Sequence, residues 1–345
     1  MKRWALPCAK LALAVGLIYW LISNGGLSVD ANDRAAFARD WPWLLAAQAP
    51  YAVVLLLAAI RWRLLLAVQG VYRSFGEIYS LVLMGVFFNQ VLFGSTGGDV
   101  MKAYYVARES PERRAAAALT VFIDRAIGLF VLMAMACAAT FLNLPLLQED
   151  PRLMELSVFI WVTVGGGLVF FGVFYLRRRN SPPGKEGGII RKLAEVLYLY
   201  RSHPGVVLKA IAISVLLHSL VVITNLLLLR VLLPDQWSSL PTLFLVIPLA
   251  QIVMAIPITP GAIGTAEAAY GWLFALVGIP TRGALVSLLQ RLTYCFWAIP
   301  GLLIYLRSRK SLSLDASHGP RNADATTPAD EGGGAGKNTP GDCMS

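Results

Sequence analysis

The amino-acid sequence predicts an all-α fold, a polytopic bundle of membrane helices in which two elements are broken hairpins instead of full crossings. Three observations carry this. Of 345 residues, 57% are hydrophobic and only 14% charged, where a soluble domain carries roughly a quarter charged residues. The apolar residues gather into runs near the ~20 that a helix needs to cross hydrocarbon. Two of these runs, in opposite halves of the chain, are interrupted by clusters of glycine and proline. The net charge of +10 does not point to nucleic acid, because the basic residues sit in short connections beside apolar runs. The positive-inside rule produces that placement, so membrane orientation accounts for the charge.

Met1–Lys10 is basic and Leu11–Ile22 completes a first span; no small-residue cleavage site follows at Ser23–Ser28, so the segment reads as retained. Asn24–Asp40, with Asp30, Asp33 and Asp40, is a slightly acidic outer loop. Trp41–Ile60 is the second span, with Trp41 and Trp43 as interfacial anchors and Arg61, Arg63 and Arg73 at its cytoplasmic end. Ile78–Phe93 is apolar but short. Were it to cross, Lys102, Arg108, Arg113 and Arg114 would lie outside, against the charge rule. A re-entrant hairpin over Ile78–Ala107, entering and leaving on the cytoplasmic side, satisfies them. Leu119–Phe141 then spans outward to an acidic loop at Gln148–Glu155, and Leu156–Leu176 returns to Arg177, Arg178 and Arg179.

Asn180–Lys209 is an internal loop, partly helical around Arg191–Tyr200. Ala210–Leu229 spans outward, and Val231–Pro241 is a short outer loop. Thr242–Val277 is the second hairpin, dipping in from outside, and Gly283–Leu306 is the last span. Ser311–Ser345 lacks apolar periodicity and reads as a disordered cytoplasmic tail. Span, span, hairpin, span therefore occurs in 1–141 and again in 156–310, starting inside in one half and outside in the other. This is an inverted repeat within a membrane domain 1–310, with about six full spans plus two opposed hairpins, or in the alternative about eight ordinary spans. Both termini are then cytoplasmic.

The first break, NQVLFGSTGGDVMK at Asn89–Lys102, holds Gly94, Gly97 and Gly98; the second, QIVMAIPITPGAIGTAEAAY at Gln251–Tyr270, holds Pro257, Pro260, Gly261 and Gly264. Backbone groups freed there must be buried in protein or line a wet cavity. Paired breaks at corresponding places mark a transporter's binding site. Each break precedes a helix start, whose free N–H groups suit an anion such as phosphate. Asp99 and Glu267 sit in those first turns, each either as a cap of its own helix or as a ligand.

Asp124 and Arg125 lie inside VFIDRAIGLFVLMAMA, where a charge costs at least ~2.5–3.5 kcal/mol on insertion scales and must pair or face water. Neighbours on a helix point about 100° apart, so an acid from elsewhere, Glu267 or Asp99, suits Arg125 better. Arg291, in LLQRLTYCFWAIPG, is the counterpart in the second half; it suits either bidentate contact with a lipid phosphate or a pair with Glu267. The candidate substrate-binding residues are therefore Asp99, Lys102, Asp124, Arg125, Glu267 and Arg291. Asn89, Asn225 and Gln251 read as hydrogen-bonding glue between helices, and His218 as packed. Cys8, Cys137, Cys295 and Cys343 have the spacing of neither a disulfide framework nor a metal site, and no metal or cofactor is expected. GxxxxGK[ST], HExxH and GxSxG are all missing, which argues against an ATP-driven pump or a conventional hydrolase.

NQVLFGSTGGDVMKAYYVAR, FIDRAIGL, IPITPGAIGTAEAAY with the following GIP, and LLQRLTYCFWAIPG resemble, in that order, the signatures of the lysylphosphatidylglycerol synthase transmembrane region, also called the flippase-like domain family. The resemblance covers nearly the whole chain up to Leu306. It implies an integral domain of a bacterial inner membrane that moves or handles lipids; in the bifunctional synthases, the part resembling this chain flips the aminoacylated lipid. Asp99 stands where family members often have glutamate, and Lys102 where arginine is common. A soluble aminoacyl-transfer domain follows in those synthases, whereas here the tail follows, so lysyl transfer is not carried over. The expected partners are membrane lipids with an anionic or lipid-linked headgroup, moved between leaflets. Two other classes stand beside this one: a membrane partner of a separate lipid-modifying enzyme, and an intramembrane transferase acting on a lipid phosphate with Asp99 or Glu267 as base.

Overall fold

The structure, a computed structural model, describes residues 19, 31–92, 96–177, 189–233, 239–279 and 282–317. The chain divides into two compact units, Met1–Tyr305 and Leu306–Ser345. The helical bundle lies in the first; the second holds, among its described residues, only the end of the last helix. Of the expected tail, residues 318–345 lie outside the described residues, as does the first span apart from Tyr19.

All regular structure among the described residues is helical. Helix α1 (Ala31–Ala46) and helix α2 (Gln48–Val68) follow almost without interruption. The outer loop expected to reach Asp40 therefore ends by Ala31, because the alanines at 31, 35, 36 and 38 favour helix over loop. Helix α2 also continues two turns beyond Ile60, so Arg61 is not a terminal anchor but an intrahelical residue.

Ser74 starts α3 (Phe75–Val91) with a capping box: its hydroxyl accepts from the Glu77 N–H at 3.2 Å, and the Glu77 carboxylate accepts from the Ser74 N–H at 3.1 Å. Then come α4 (Gly97–Arg108) and α5 (Arg114–Leu142), the latter starting five residues before the expected Leu119. The acidic loop expected at Gln148–Glu155 is instead a short helix, α6 (Leu144–Glu149), joined through Asp150 to α7 (Pro151–Arg177). Next are α8 (Ile189–Ser202), α9 (Pro204–Leu232) and α10 (Leu240–Ala255). A 3₁₀ turn at Pro260–Ala262, α11 (Thr265–Leu276) and α12 (Gly283–Ser317) complete the chain. The order long helix, two short helices, long helix occurs in α2–α5 and again in α9–α12.

Four helices among the described residues are long and apolar enough to cross a bilayer: Ala35–Val68, Arg114–Leu142, Pro151–Val169 and Pro204–Leu232, with α3 and α10 as shorter apolar helices. Helix α12, which carries the last expected span, is not among the four; Gln290, Arg291 and Thr293 dilute its apolar run. Large apolar side chains such as Phe122, Val162, Leu208 and Leu292 point outward, as a lipid-facing surface requires. The protein is an all-α, multi-pass membrane protein.

In hydrocarbon, apolar side chains gain nothing by leaving lipid for protein, so helices associate through close backbone approach and polar contacts. Glycines provide that approach, two of them against α3. A Cβ on Gly98 would stand 2.0 Å from the Gly85 carbonyl oxygen, joining α4 to α3, and one on Gly301 would stand 2.1 Å from that of Leu83, joining α12 to α3. The amphipathic α8 is fastened differently. Val196 and Tyr200 pack with Leu65, Ile123 and Ala210, and the Tyr200 hydroxyl donates to the Leu65 carbonyl at 2.9 Å. Burial pushes that phenol well above its ordinary pKa.

Candidate functional site

Helices α3 and α4 run antiparallel: Gly97 faces Leu92, Gly98 faces Asn89 and Gly85, and the Lys102 stem also lies against Gly85. Gly97 and Gly98, expected within the break, instead form the first turn of α4, where no Cβ fits. Gly94 lies outside the described residues. The start of α4 is capped from the facing helix, where Asn89 Oδ1 accepts the Gly98 N–H at 2.8 Å. Asp99 is therefore released from capping. Its Oδ1 stands 2.7 Å from Lys102 Nζ and its Oδ2 stands 3.1 Å from Arg125 Nη1. The second pair lacks hydrogen-bond geometry, so the buried Oδ2 has no hydrogen bond. Lys102 in turn lies 5.5 Å from the Trp62 ring centroid.

The second hairpin is built on backbone that glycine permits. Gly261 has φ +55° and Gly264 φ +81°, both in the left-handed region that costs other residues free energy. Pro257 follows the last residue capping α10, Ile256, so the helix cannot continue. Glu267 caps its own helix and also pairs with Arg291. Its Oε2 accepts the Gly264 N–H at 2.7 Å, and its Oε1 accepts from Arg291 Nη2 at 2.8 Å and Nε at 3.1 Å. Arg291 also donates to the carbonyls of Gly261 at 2.9 Å and Ala262 at 3.3 Å. This guanidinium clamps the hairpin tip onto α12.

The two tips meet. A Cβ on Gly261 would stand 3.4 Å from the Gln90 carbonyl oxygen and 3.7 Å from that of Asn89. Beside this junction is a cavity of about 270 Å³. Arg61 and Arg125 form its cationic wall, and Asn89, Gln90, Gly261 and Ala262 bring the tips to it. Tyr51, Tyr294 and Gln251 add neutral polar groups, while Leu129, Leu132 and Met254 are apolar. Gln251 donates to the Tyr270 hydroxyl at 3.3 Å and to that of Tyr294 at 3.4 Å. The Tyr270 hydroxyl donates to Asn225 at 3.4 Å, so the amides at 225 and 251 do join helices. His218 is packed, as its position implies, with Nε2 3.1 Å from the Gly128 carbonyl, yet it also borders the cavity.

Of the six candidate residues, only Arg125 lines the cavity directly. Asp99 and Lys102 stand behind it; Glu267 and Arg291 hold the opposite tip. Asp124 is buried and engaged by a residue that the sequence reading placed at a helix end. Arg61 Nε reaches Asp124 Oδ1 at 2.7 Å, Nη2 reaches Oδ2 at 3.0 Å, and Nη1 donates to Ser214 Oγ at 2.7 Å. The run Leu64–Val68 was the available signal: apolar sequence resumes after Arg63, which a terminal arginine pair does not predict.

The family model described as lysylphosphatidylglycerol synthase TM region matches residues 8–301, which include every residue of the site. The chain belongs to this family. Two UPF0104 membrane proteins are also similar to it. One, from Methanocaldococcus jannaschii, is 23% identical over 128 residues, 37% of this chain and 38% of that protein. The other, from Pyrococcus horikoshii, is 24% identical over 111 residues, 32% of this chain and 31% of that protein. The matches thus cover only about a third of each relative's length. No solved structure matches it.

Proposed function

We propose that this protein moves a phospholipid or lipid-linked headgroup between the leaflets of a cell membrane. In this reading the two hairpins are re-entrant from opposite sides and related by an inverted repeat. The headgroup passes where their tips meet, while the acyl chains stay in lipid against the outward apolar helix faces. The observation that supports it is the cavity at the junction of the tips, bordered by Arg61 and Arg125. Arg61 is held by Asp124 and Ser214. Arg125 makes an ion pair with Asp99 without hydrogen-bond geometry, so a phosphate oxygen can take its N–H groups without breaking a hydrogen bond to Asp99. Donors fixed on an apolar wall hold an anion more strongly than they would in water.

The test is purified protein in liposomes carrying headgroup-labelled phospholipids, with a membrane-impermeant quencher outside. The fraction of label reached rises beyond the outer leaflet's share with the wild type and stays at that share with Arg125→Ala, provided both unfold at similar midpoints. Equal movement by both proteins contradicts the assignment of the site; no movement by the wild type with any common lipid contradicts the transport reading.

A further inference from the structure

We infer that the crevice between the feet of the first hairpin, away from the cavity at the tips, is a second anion site and holds a single phosphate group. Its volume is about 330 Å³. Gly70, Tyr72 and Arg73 of the α2–α3 connection line it together with Ser110, Glu112 and Arg113 of the α4–α5 connection. Each connection thus supplies one arginine, and the two cavities share no residue. The inference does not depend on lipid movement, because Arg61 and Arg125 play no part in it.

Both arginines are held in place by carbonyls. Arg113 Nη1 donates to that of Gln69 at 2.7 Å, and Arg73 Nη2 donates to that of Glu109. Arg63 Nε in turn donates to the Arg73 carbonyl at 3.1 Å. Gly70, at φ +70°, leaves room for the Arg113 guanidinium, since a Cβ there would stand 2.8 Å from Nη1. Apart from a long contact of Arg73 Nη2 with Ser110 Oγ at 3.5 Å, the N–H groups of Arg73 and Arg113 make no other hydrogen bond among the described residues. Each guanidinium is thus oriented through one nitrogen and keeps donors open, which suits the several oxygens of a phosphate. The Ser110 hydroxyl adds a further donor.

The surrounding charge sets how much anion the crevice takes. Glu112 lines it, and Glu109 Oε2 stands 3.8 Å from Arg73 Nη1. Arg63, Arg73 and Arg113 outweigh these two carboxylates by one charge, which suits one phosphate and not a triphosphate chain. Tyr72 is 81% exposed. An exposed aromatic ring beside arginines is the composition of a membrane–water boundary, where basic pockets at helix ends bind lipid headgroups. The phosphate is therefore that of a lipid lying against the bundle or a free one from the water. Accepting from both arginines, it ties the chain entering α3 to the chain leaving α4 and steadies the hairpin that carries Asn89 and Asp99.

The test uses the full chain in detergent, carrying Arg125→Gln so that the cavity at the tips is silenced. Inorganic phosphate, ATP, short-chain phosphatidic acid and diacylglycerol of the same chains are each titrated while bound adducts are counted by native mass spectrometry. One phosphate-bearing adduct is expected, with neither ATP nor diacylglycerol retained. Adding Arg73→Gln and Arg113→Gln together is expected to weaken it roughly tenfold or more. Arg114→Gln, which removes the same kind of charge outside the crevice, is expected to leave it unchanged. If the glutamine pair fails to fold, Arg73→Lys with Arg113→Lys takes its place, keeping the charge and losing the forked donors, and weakening is again expected. Phosphatidic acid held far more tightly than inorganic phosphate assigns the site to a lipid headgroup, and comparable binding of the two assigns it to the free anion. Absence of a phosphate-bearing adduct, ATP bound as tightly, or a loss no greater at Arg73 and Arg113 than at Arg114 overturns the inference. Lipid movement by the wild type with no adduct at this crevice overturns this inference alone; an adduct here without lipid movement overturns the transport reading alone.

Discussion

The two hairpins share a design and differ in how their charges are used. In the second, Arg291 and Glu267 satisfy each other, the helix start and two tip carbonyls. In the first, a neutral side chain, Asn89, does the capping. Asp99 is left between two cations with one buried oxygen lacking a hydrogen bond. One hairpin is a post fixed by a closed pair; the other faces a cation on α5, Arg125, which Asp99 engages without a hydrogen bond. Similar residues at the two hairpins thus divide into a closed pair and an unsaturated one. Position within the fold does not make that division; the hydrogen bonds left open do.

Substitutions can break this contrast, and the largest effect belongs to the closed side. Arg291→Ala strands Glu267, which is 1% exposed, and frees two tip carbonyls. A loss of about 3–5 kcal/mol is expected, as for other buried pairs cut on one side, read as a lower denaturant midpoint in detergent. Gly98→Ala comes next, because the new methyl meets the Gly85 carbonyl oxygen. Overpacking of this kind costs roughly 1–3 kcal/mol, and a crosslink rate between cysteines placed in α3 and α4 will fall as the helices separate. Asn89→Ala removes the cap from across the hairpin, for about 1 kcal/mol, with Asn89→Asp restoring most of it. Arg125→Gln has the smallest effect on stability, under about 1 kcal/mol for a partly exposed pair, and removes lipid movement nearly completely. A stability loss at Arg125 equal to that at Arg291 would erase the distinction between the hairpins.

Much of this was legible in the sequence. Pro257, Pro260, Gly261 and Gly264 together disfavour a continuous helix, so the second break followed from backbone chemistry. Arg125 inside an apolar run had to find an acid, and Asp99 was one of the two that the sequence suggested, with Glu267. Gly97 and Gly98 were legible as special positions but not in kind: a glycine that breaks a helix and one that lets two helices touch look alike in one dimension. Arg61 was hidden because an arginine beside Arg63 after an apolar run has the pattern of a membrane anchor, and only the packing of α2 against α5 and α9 reveals its partners Asp124 and Ser214. The neutral wall of Tyr51, Gln90 and Tyr294 was hidden for a related reason, since those residues come from helices far apart in the chain.

The central claim is that a lipid headgroup enters the space where the tips meet. A phosphatidylglycerol analogue with a photoreactive group on its glycerol headgroup, incorporated with the protein into liposomes and irradiated, tests it directly by peptide mapping. Adducts at Gln90 and Met254, on the cavity wall, that disappear in Arg125→Gln are the predicted result. Adducts confined to outward residues such as Leu292 and Phe296, and unchanged by Arg125→Gln, would contradict the account.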